Sequence, residues 1–230
     1  MKIKFIILII ATASTLLSSC EYDNFTPPES TLSGKVVYVG NAVNVRNNGP
    51  VLELWQDGFA LRSPIVLSLS QDGTFAAKLF DGKYKLTRRG NAPWLQQATD
   101  TITVNVNGNT AIDVPVTPYF NLTNDTYTKS GNTISARFVV DKIVPTANLD
   151  RVIVILSRSI LMDHIPQAAG RGQVIVNVNT STIVFGSQNS VTTDVPDELK
   201  NLDFVFARIG IKSTVSGEYN YTPVQKIALK

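Results

Sequence analysis

The chain has 230 residues, 43% of them hydrophobic, with 21 basic and 18 acidic side chains and a formal net charge of +3. Its only adjacent basic pair is Arg88-Arg89, so the electrostatic footprint of a nucleic-acid partner is missing. A single cysteine, Cys20, and a single histidine, His164, exclude a disulfide framework and a multi-histidine zinc site, and leave His164 as the one histidine that a hydrolase triad could use as its base.

Residues 1–19 run from Lys2 and Lys4 into an apolar stretch from Phe5 to Leu17. A basic start, a short apolar run and small residues before the cut predict a secretory signal, too short to span a bilayer comfortably. Leu17-Ser18-Ser19-Cys20 resembles the lipobox of bacterial lipoproteins. The resemblance implies that Cys20 is acylated, becomes the mature N-terminus and anchors the protein to a membrane. Each buried methylene adds about 0.8 kcal/mol and stable anchoring needs more than one chain, which a multiply acylated Cys20 would supply. Losing Lys2 and Lys4 with the leader brings the mature chain close to neutrality.

Residues 20–30 carry Pro27-Pro28 and no periodicity, which predicts an extended tether. Glu21 and Asp23 resemble the acidic export signal that follows the lipidated cysteine in surface-exposed lipoproteins of Bacteroidetes-type outer membranes. The periplasmic face of that membrane is the alternative address.

β-branched residues in alternating runs, cut by Gly, Asn and Pro, predict an all-β protein of two tandem β-sandwich domains. In the first, residues 31–117, strands are expected over Leu32 to Val39, Val51 to Trp55, Ile65 to Leu69, Ile102 to Val106 and Ile112 to Val116. Asp72-Gly73 and Asp81-Gly82 bracket a further short strand and suit tight hairpins. Asn107-Gly108 turns the chain, and Pro115 suits an edge or final strand. Frequent turns between about seven strands are a sandwich signature. Gly34-Lys35-Val36, Asp72-Gly73-Thr74-Phe75 and Gly82-Lys83-Tyr84-Lys85-Leu86 resemble the carboxypeptidase regulatory-like, transthyretin-like domain, which implies a non-catalytic module.

In the second domain, residues 118–230, Val116 to Phe120 reads as a short hinge stiffened by prolines. Ile134 to Asp141 and Val174 to Val178 alternate, and Val152 to Leu156 is a continuous apolar run, expected as a strand buried on both faces. Leu202 to Ile211 and Tyr221 to Leu229 complete the set. Phe204 to Gly210 and the last strand resemble the F and G strands of a fibronectin type III-like sandwich. Ser159 to Gly172 has no clear period and reads as an irregular crossing loop with a helical turn.

These pieces, with Pro93-Trp94, Val116-Thr117-Pro118-Tyr119-Phe120 and the tail from Tyr219 to Ile227, resemble a two-domain Bacteroidetes lipoprotein family of unknown function found beside SusC/SusD-type glycan importers. The resemblance covers nearly the whole chain. It implies outer-membrane attachment, a role in polysaccharide capture or uptake, and importer subunits as partners. It carries over no catalytic residue.

Candidate chemistry is sparse. Asp57, Asp72 and Asp81 each precede a glycine and read as turn formers, although these acids and Asp113 would have to converge for glycoside hydrolysis. Asn121 to Asp125 is a possible calcium-ligating loop without EF-hand spacing. No phosphate-cradling glycine loop occurs, so no cofactor and no metal are expected, and no enzyme activity. His164 reads as a loop residue. Sugar recognition would stack a pyranose on an exposed ring with polar groups beside it. Trp94, on a loop with Arg88 and Gln96 near it, and Trp55, at a strand end, are the candidate glycan-binding residues. The alternative for Trp94 is a plug folded over the open end of the sandwich. Tyr119 suits packing between the domains. Asp100-Thr101-Ile102 resembles an O-glycosylation site of these bacteria, or opens a strand. Two roles follow: a glycan-binding accessory, or an adapter that assembles with the importer without touching glycan.

Overall fold

The structure is a computed structural model that describes residues 26–58, 61–96, 101–166 and 171–230. Cys20, the leader and Asp100 lie outside the described residues. The chain is all-β, in two domains.

The first domain contains β1 (Ser30–Tyr38), β2 (Asn41–Ala42), β3 (Val51–Trp55), β4 (Ile65–Ser68), β5 (Thr74–Leu79), β6 (Gly82–Arg88), β7 (Ile102–Val106) and β8 (Asn109–Pro115). One sheet runs β2-β1-β5 with β8 against the other side of β1; the second runs β4-β3-β6-β7. Alternation puts Leu32, Leu52, Leu54, Phe75, Leu86 and Val104 into the shared core, as period-2 side-chain direction requires. The Asx-Gly turns do not close hairpins. Asp72-Gly73, Asp81-Gly82 and Asn107-Gly108 each carry the chain from one sheet to the other. Gly73 has φ +78°, and a Cβ there would lie 2.3 Å from the Val43 carbonyl oxygen, so the crossing needs glycine twice over. Pro115 ends β8, an edge strand whose neighbour is β1 in parallel, from Thr31↔Asn109 to Val37↔Pro115.

The second domain contains β9 (Phe120–Ser130), β10 (Thr133–Lys142), β11 (Leu149–Ser157), β12 (Gln173–Val178), β13 (Gln188–Asp194), β14 (Phe204–Ser213), β15 (Asn220–Tyr221) and β16 (Gln225–Ala228). A three-stranded sheet, β13-β10-β9, faces a five-stranded one, β12-β11-β14 with β15 and β16 both on β14. Val152, Val154 and Leu156 point into the core between the sheets. Ile153 and Ile155 point the other way, into a second apolar layer with Met162, Tyr219 and Tyr221. The apolar run of β11 is therefore buried on both faces.

Four expectations change. The segment from Asn121 to Asp125 is part of strand β9, with Asn121 to Thr123 paired to β10 and Asn124-Asp125 in a bulge, and is not a calcium loop. The last expected strand splits into β15 and β16 around Pro223, which has no N–H to donate. Val116 to Phe120 is not a hinge. Val116 N donates to Val37 O (2.9 Å), Leu95 N to Thr117 O (2.9 Å) and Tyr119 N to Pro93 O (3.1 Å), so both of its flanks are spliced to the first domain. Tyr119 itself packs on the second domain's core. The segment 159–166 contains no helical turn.

Candidate functional site

Trp94 is not an exposed platform. Its side chain is 2% exposed, inside the first domain's core, and its backbone bridges Pro118. The indole N–H has no hydrogen-bond partner among the described residues, so apolar packing alone holds the ring. It closes the end of the sandwich where the chain leaves for the second domain, as the plug alternative had it. Arg88 is equally unavailable: it is 9% exposed and donates from Nη1 to the carbonyl of Pro115. Its role is to satisfy the end of β8. Gln96 remains exposed, but its amide folds back over Gly90.

Trp55 stays at the surface. It ends β3 on the outer face of the β4-β3-β6-β7 sheet, opposite Lys85 of β6. Its Nε1–H donates to Thr87 Oγ1 at 3.2 Å, which fixes the ring's orientation. The ring borders an open depression of about 350 Å³ shared with Arg62, Lys85, Thr87 and Thr101. Lys85 Nζ lies 2.6 Å from Asp57 Oδ2, and Arg62 lies 3.7 Å from the same carboxylate. The Lys85 contact holds the Asp57 carboxyl below the usual range. A half-exposed ring flanked by cations, a carboxylate and hydroxyls is a stacking surface with polar groups on its rim.

The other acids are spent locally. Asp72 accepts from the N–H (3.1 Å) and hydroxyl (2.7 Å) of Thr74. Asp81 accepts from the Ser30 hydroxyl and from Gly108 N, and the Ser30 bond lowers its carboxyl affinity for protons. Asp113 is exposed on β8.

The domain boundary holds what sequence reasoning missed. Arg208, on the outer face of β14, is fully buried. It donates from Nη1 to Met162 O and from Nη2 to Val45 O, both at 3.2 Å, and so ties the second domain to the first. Desolvation pushes its guanidinium down to about 10, still charged at neutral pH. Tyr221 bridges backbone-to-backbone with Asn44, and Gln71 reaches across to Ile160 O and Met162 N. Arg46 forms a two-pronged ion pair with Glu218, with contacts of 2.7 to 3.0 Å. Ser216 and Gly217 bond Ala92 O and Asn91 Oδ1. A cleft of about 420 Å³ opens here, bordered by Asn44, Asn47, Gln71, Leu161, Arg208 and Thr222, with Gln71 and Arg208 already engaged. His164 stacks on Tyr219 (4.6 Å between centroids) and Tyr219 on Tyr221 (5.7 Å). The sequence signal for this ladder was only Tyr219-x-Tyr221, two residues apart on one face.

No curated protein is similar to the chain. Among solved structures, a DUF3823 family protein from Bacteroides ovatus ATCC 8483 is 39% identical over 88% of this chain and 100% of its own, with a TM-score of 0.80. Another, from Parabacteroides merdae ATCC 43184, is 33% identical with the same coverage and a TM-score of 0.76. A "putative carbohydrate binding protein" from Bacteroides uniformis ATCC 8492 shares the fold, with a TM-score of 0.69 at 18% identity. Residues 30–117 match the family described as "Protein of unknown function (DUF3823) N-terminal domain", and residues 120–226 match its companion, "Domain of unknown function (DUF3823_C)". With both halves matched in order, the chain belongs to the DUF3823 family.

Proposed function

We propose that this protein is a non-catalytic, lipid-anchored lipoprotein of a bacterial outer membrane, displayed at the cell surface, that binds glycan beside a SusC/SusD-type importer. The observation that carries the binding role is Trp55: a ring at the surface, pinned through its N–H to Thr87, beside an open depression with Arg62, Lys85 and Thr101. A sugar's C–H face stacks on such a ring while rim groups take its hydroxyls. The fold-level neighbour described as a putative carbohydrate binding protein agrees with this reading. The sequence around Cys20 supports the anchor.

Affinity electrophoresis against a panel of polysaccharides tests the role. At least one glycan should retard the protein, and Trp55→Ala should abolish the retardation without changing the melting temperature. Retention of binding in that variant would remove Trp55 from the site. Mass spectrometry of the native mature protein tests the anchor, with acyl groups expected on Cys20.

One observation favours the adapter role. Leu61 (87% exposed), Ile65 and Val66 are exposed apolar side chains, the last two on β4, an edge strand with β3 on one side only. An unpaired apolar edge is a surface for pairing with another chain. Failure of every glycan together with co-purification of importer subunits would decide for this role.

A further inference from the structure

A second concave surface lies on the second domain, well apart in sequence from Trp55. In β11, Arg151 and Ile153 share the outer face of the five-stranded sheet, and the pairing Ile153↔Asn177 and Ile155↔Ile175 places Gln173, Ile175 and Asn177 of β12 on that same face. The segment 159–166 and the approach to β15 then bring His164 and Tyr219 over it. The result is a hollow of about 390 Å³, within the range of small-molecule sites, about 300–1,000 Å³.

Each wall has defined chemistry. Ile153 and Ile175 supply apolar surface. His164 is the last ring of the aromatic ladder, so only one of its faces is covered by Tyr219. The Tyr221 hydroxyl accepts from the backbone N–H of His164 (3.0 Å) and lies 2.9 Å from Nδ1. Gln173 donates from Nε2 to Asp163 O (3.1 Å) and Ile165 O (3.0 Å), so its amide orientation is fixed and Oε1 is left as an acceptor. Asn177 is exposed beside it. Arg151 is exposed, shares a side-chain hydrogen bond with the Tyr219 hydroxyl and makes no ion pair with a carboxylate among the described residues. Its neighbour Asp150 is taken by Lys212 at 2.7 Å.

We propose that this hollow binds a sugar acid, a pyranose bearing a carboxylate, with the carboxylate on Arg151, the ring's C–H face on the apolar and imidazole surface, and the hydroxyls on Gln173 and Asn177. A guanidinium fork matches a carboxylate in two parallel hydrogen bonds. The adjacent amides provide acceptor and donor for hydroxyls, which a phosphate or a simple carboxylate lacks. The inference does not rest on Trp55, and the two sites fail separately.

His164 is the chain's only histidine, so its ring gives one Cε1–H signal in the NMR spectrum of the untagged protein. Titration with glucuronate or galacturonate should shift that signal saturably. Glucose, galactose and acetate should leave it in place at the same concentrations. Arg151→Gln should weaken the uronate at least tenfold, and Trp55→Ala should leave it unchanged. The proposal is overturned if neither uronate gives a saturable shift, if a neutral sugar or acetate gives the same one, or if Arg151→Gln binds uronate as tightly.

Discussion

The guanidinium carbon of Arg208 lies 3.8 Å from the centroid of the Tyr221 ring, with no carboxylate bonded to it among the described residues. The cation is held by a π face and two backbone carbonyls, one from each domain. Stacking on the ring is worth about 0.5–2 kcal/mol, and hydrogen bonds from a charged donor add about 1.5–3 kcal/mol. Arg208→Ala should therefore lower stability by about 2–4 kcal/mol in urea unfolding. Arg208→Met, which keeps a flexible chain against the ring, should lose less. Equal losses in the two variants would mean that packing volume is irrelevant here.

Arg46 and Glu218 make the most strongly bonded ion pair across the boundary, with both side chains largely shielded from water. The Glu218 bond raises the Arg46 guanidinium further above its ordinary value. A double-mutant cycle over Arg46→Ala and Glu218→Ala should give a coupling of about 1–2 kcal/mol, well above an exposed pair. Each single variant should also make the boundary segment more sensitive to protease. A coupling near zero would show that the pair decorates the boundary without holding it.

Gly34 sits in β1 between β5 and β8, and a Cβ built on it would lie 1.8 Å from the Ile112 carbonyl oxygen. Backbone cannot yield there without parting β1 from β8. Gly34→Ala should cost about 3 kcal/mol or more and lower the melting temperature of the first domain, measured by calorimetry. Gly108→Ala is a suitable comparison, because open space surrounds that position and only its positive φ resists the change.

Burial, the largest influence, holds His164 below the ordinary imidazole value of about 6.5; Glu218 and Asp163 pull it up, while Arg46 and Lys212 push it down. The unfolded chain therefore binds the proton more readily than the folded one. The contribution to stability is complete above about pH 6.5 and is lost as pH falls from there through the lower folded value. Unfolding free energy should decline between pH 7.5 and 5 more steeply in the native protein than in His164→Phe. Parallel pH profiles would show that the imidazole does not titrate differently on folding.

Trp94→Ala should cost about 3–5 kcal/mol, the usual loss for removing a large buried aromatic. The damage should appear in thermal unfolding, not as a selective loss of glycan affinity. Trp94→Phe should recover much of the loss, since the indole N–H has no partner to lose among the described residues.

The strands that were legible are those with one apolar face, such as β7 and β10, or two, such as β11. Besides the two-residue β2, two strands were missed. β13 is Gln188-Asn-Ser-Val-Thr-Thr-Asp194, an edge strand whose Ser, Thr and Asn side chains carry little hydrophobic contrast. In β9, Phe120 and Leu122 face the core, but so does Tyr127, which breaks the period of two. The cause is a bulge: Val139 pairs with Thr123 and Arg137 with Thr126, and Asn124 takes φ +53°. An extra residue flips the register, so the alternation that would have announced the strand is hidden. Trp94 misled for a related reason. Gly90 to Pro93 marks a loop correctly, but loop composition does not reveal whether a ring at its end turns outward or into the sandwich. The Arg208 cluster was invisible because its parts, Val45, Met162, Arg208 and Tyr221, are distant in sequence and meet only once both domains have formed.

The parallel pairing of β1 with β8 has a mechanical consequence. The N-terminal end of β1 and the exit of β8 toward the second domain lie at opposite poles of the first domain. Traction applied between those poles slides one strand along the other, so the rungs from Thr31 to Val37 share the load and must yield together. A hairpin gripped at its open end would unzip one rung at a time. The first domain is thus wired to stay shut under traction between its two ends.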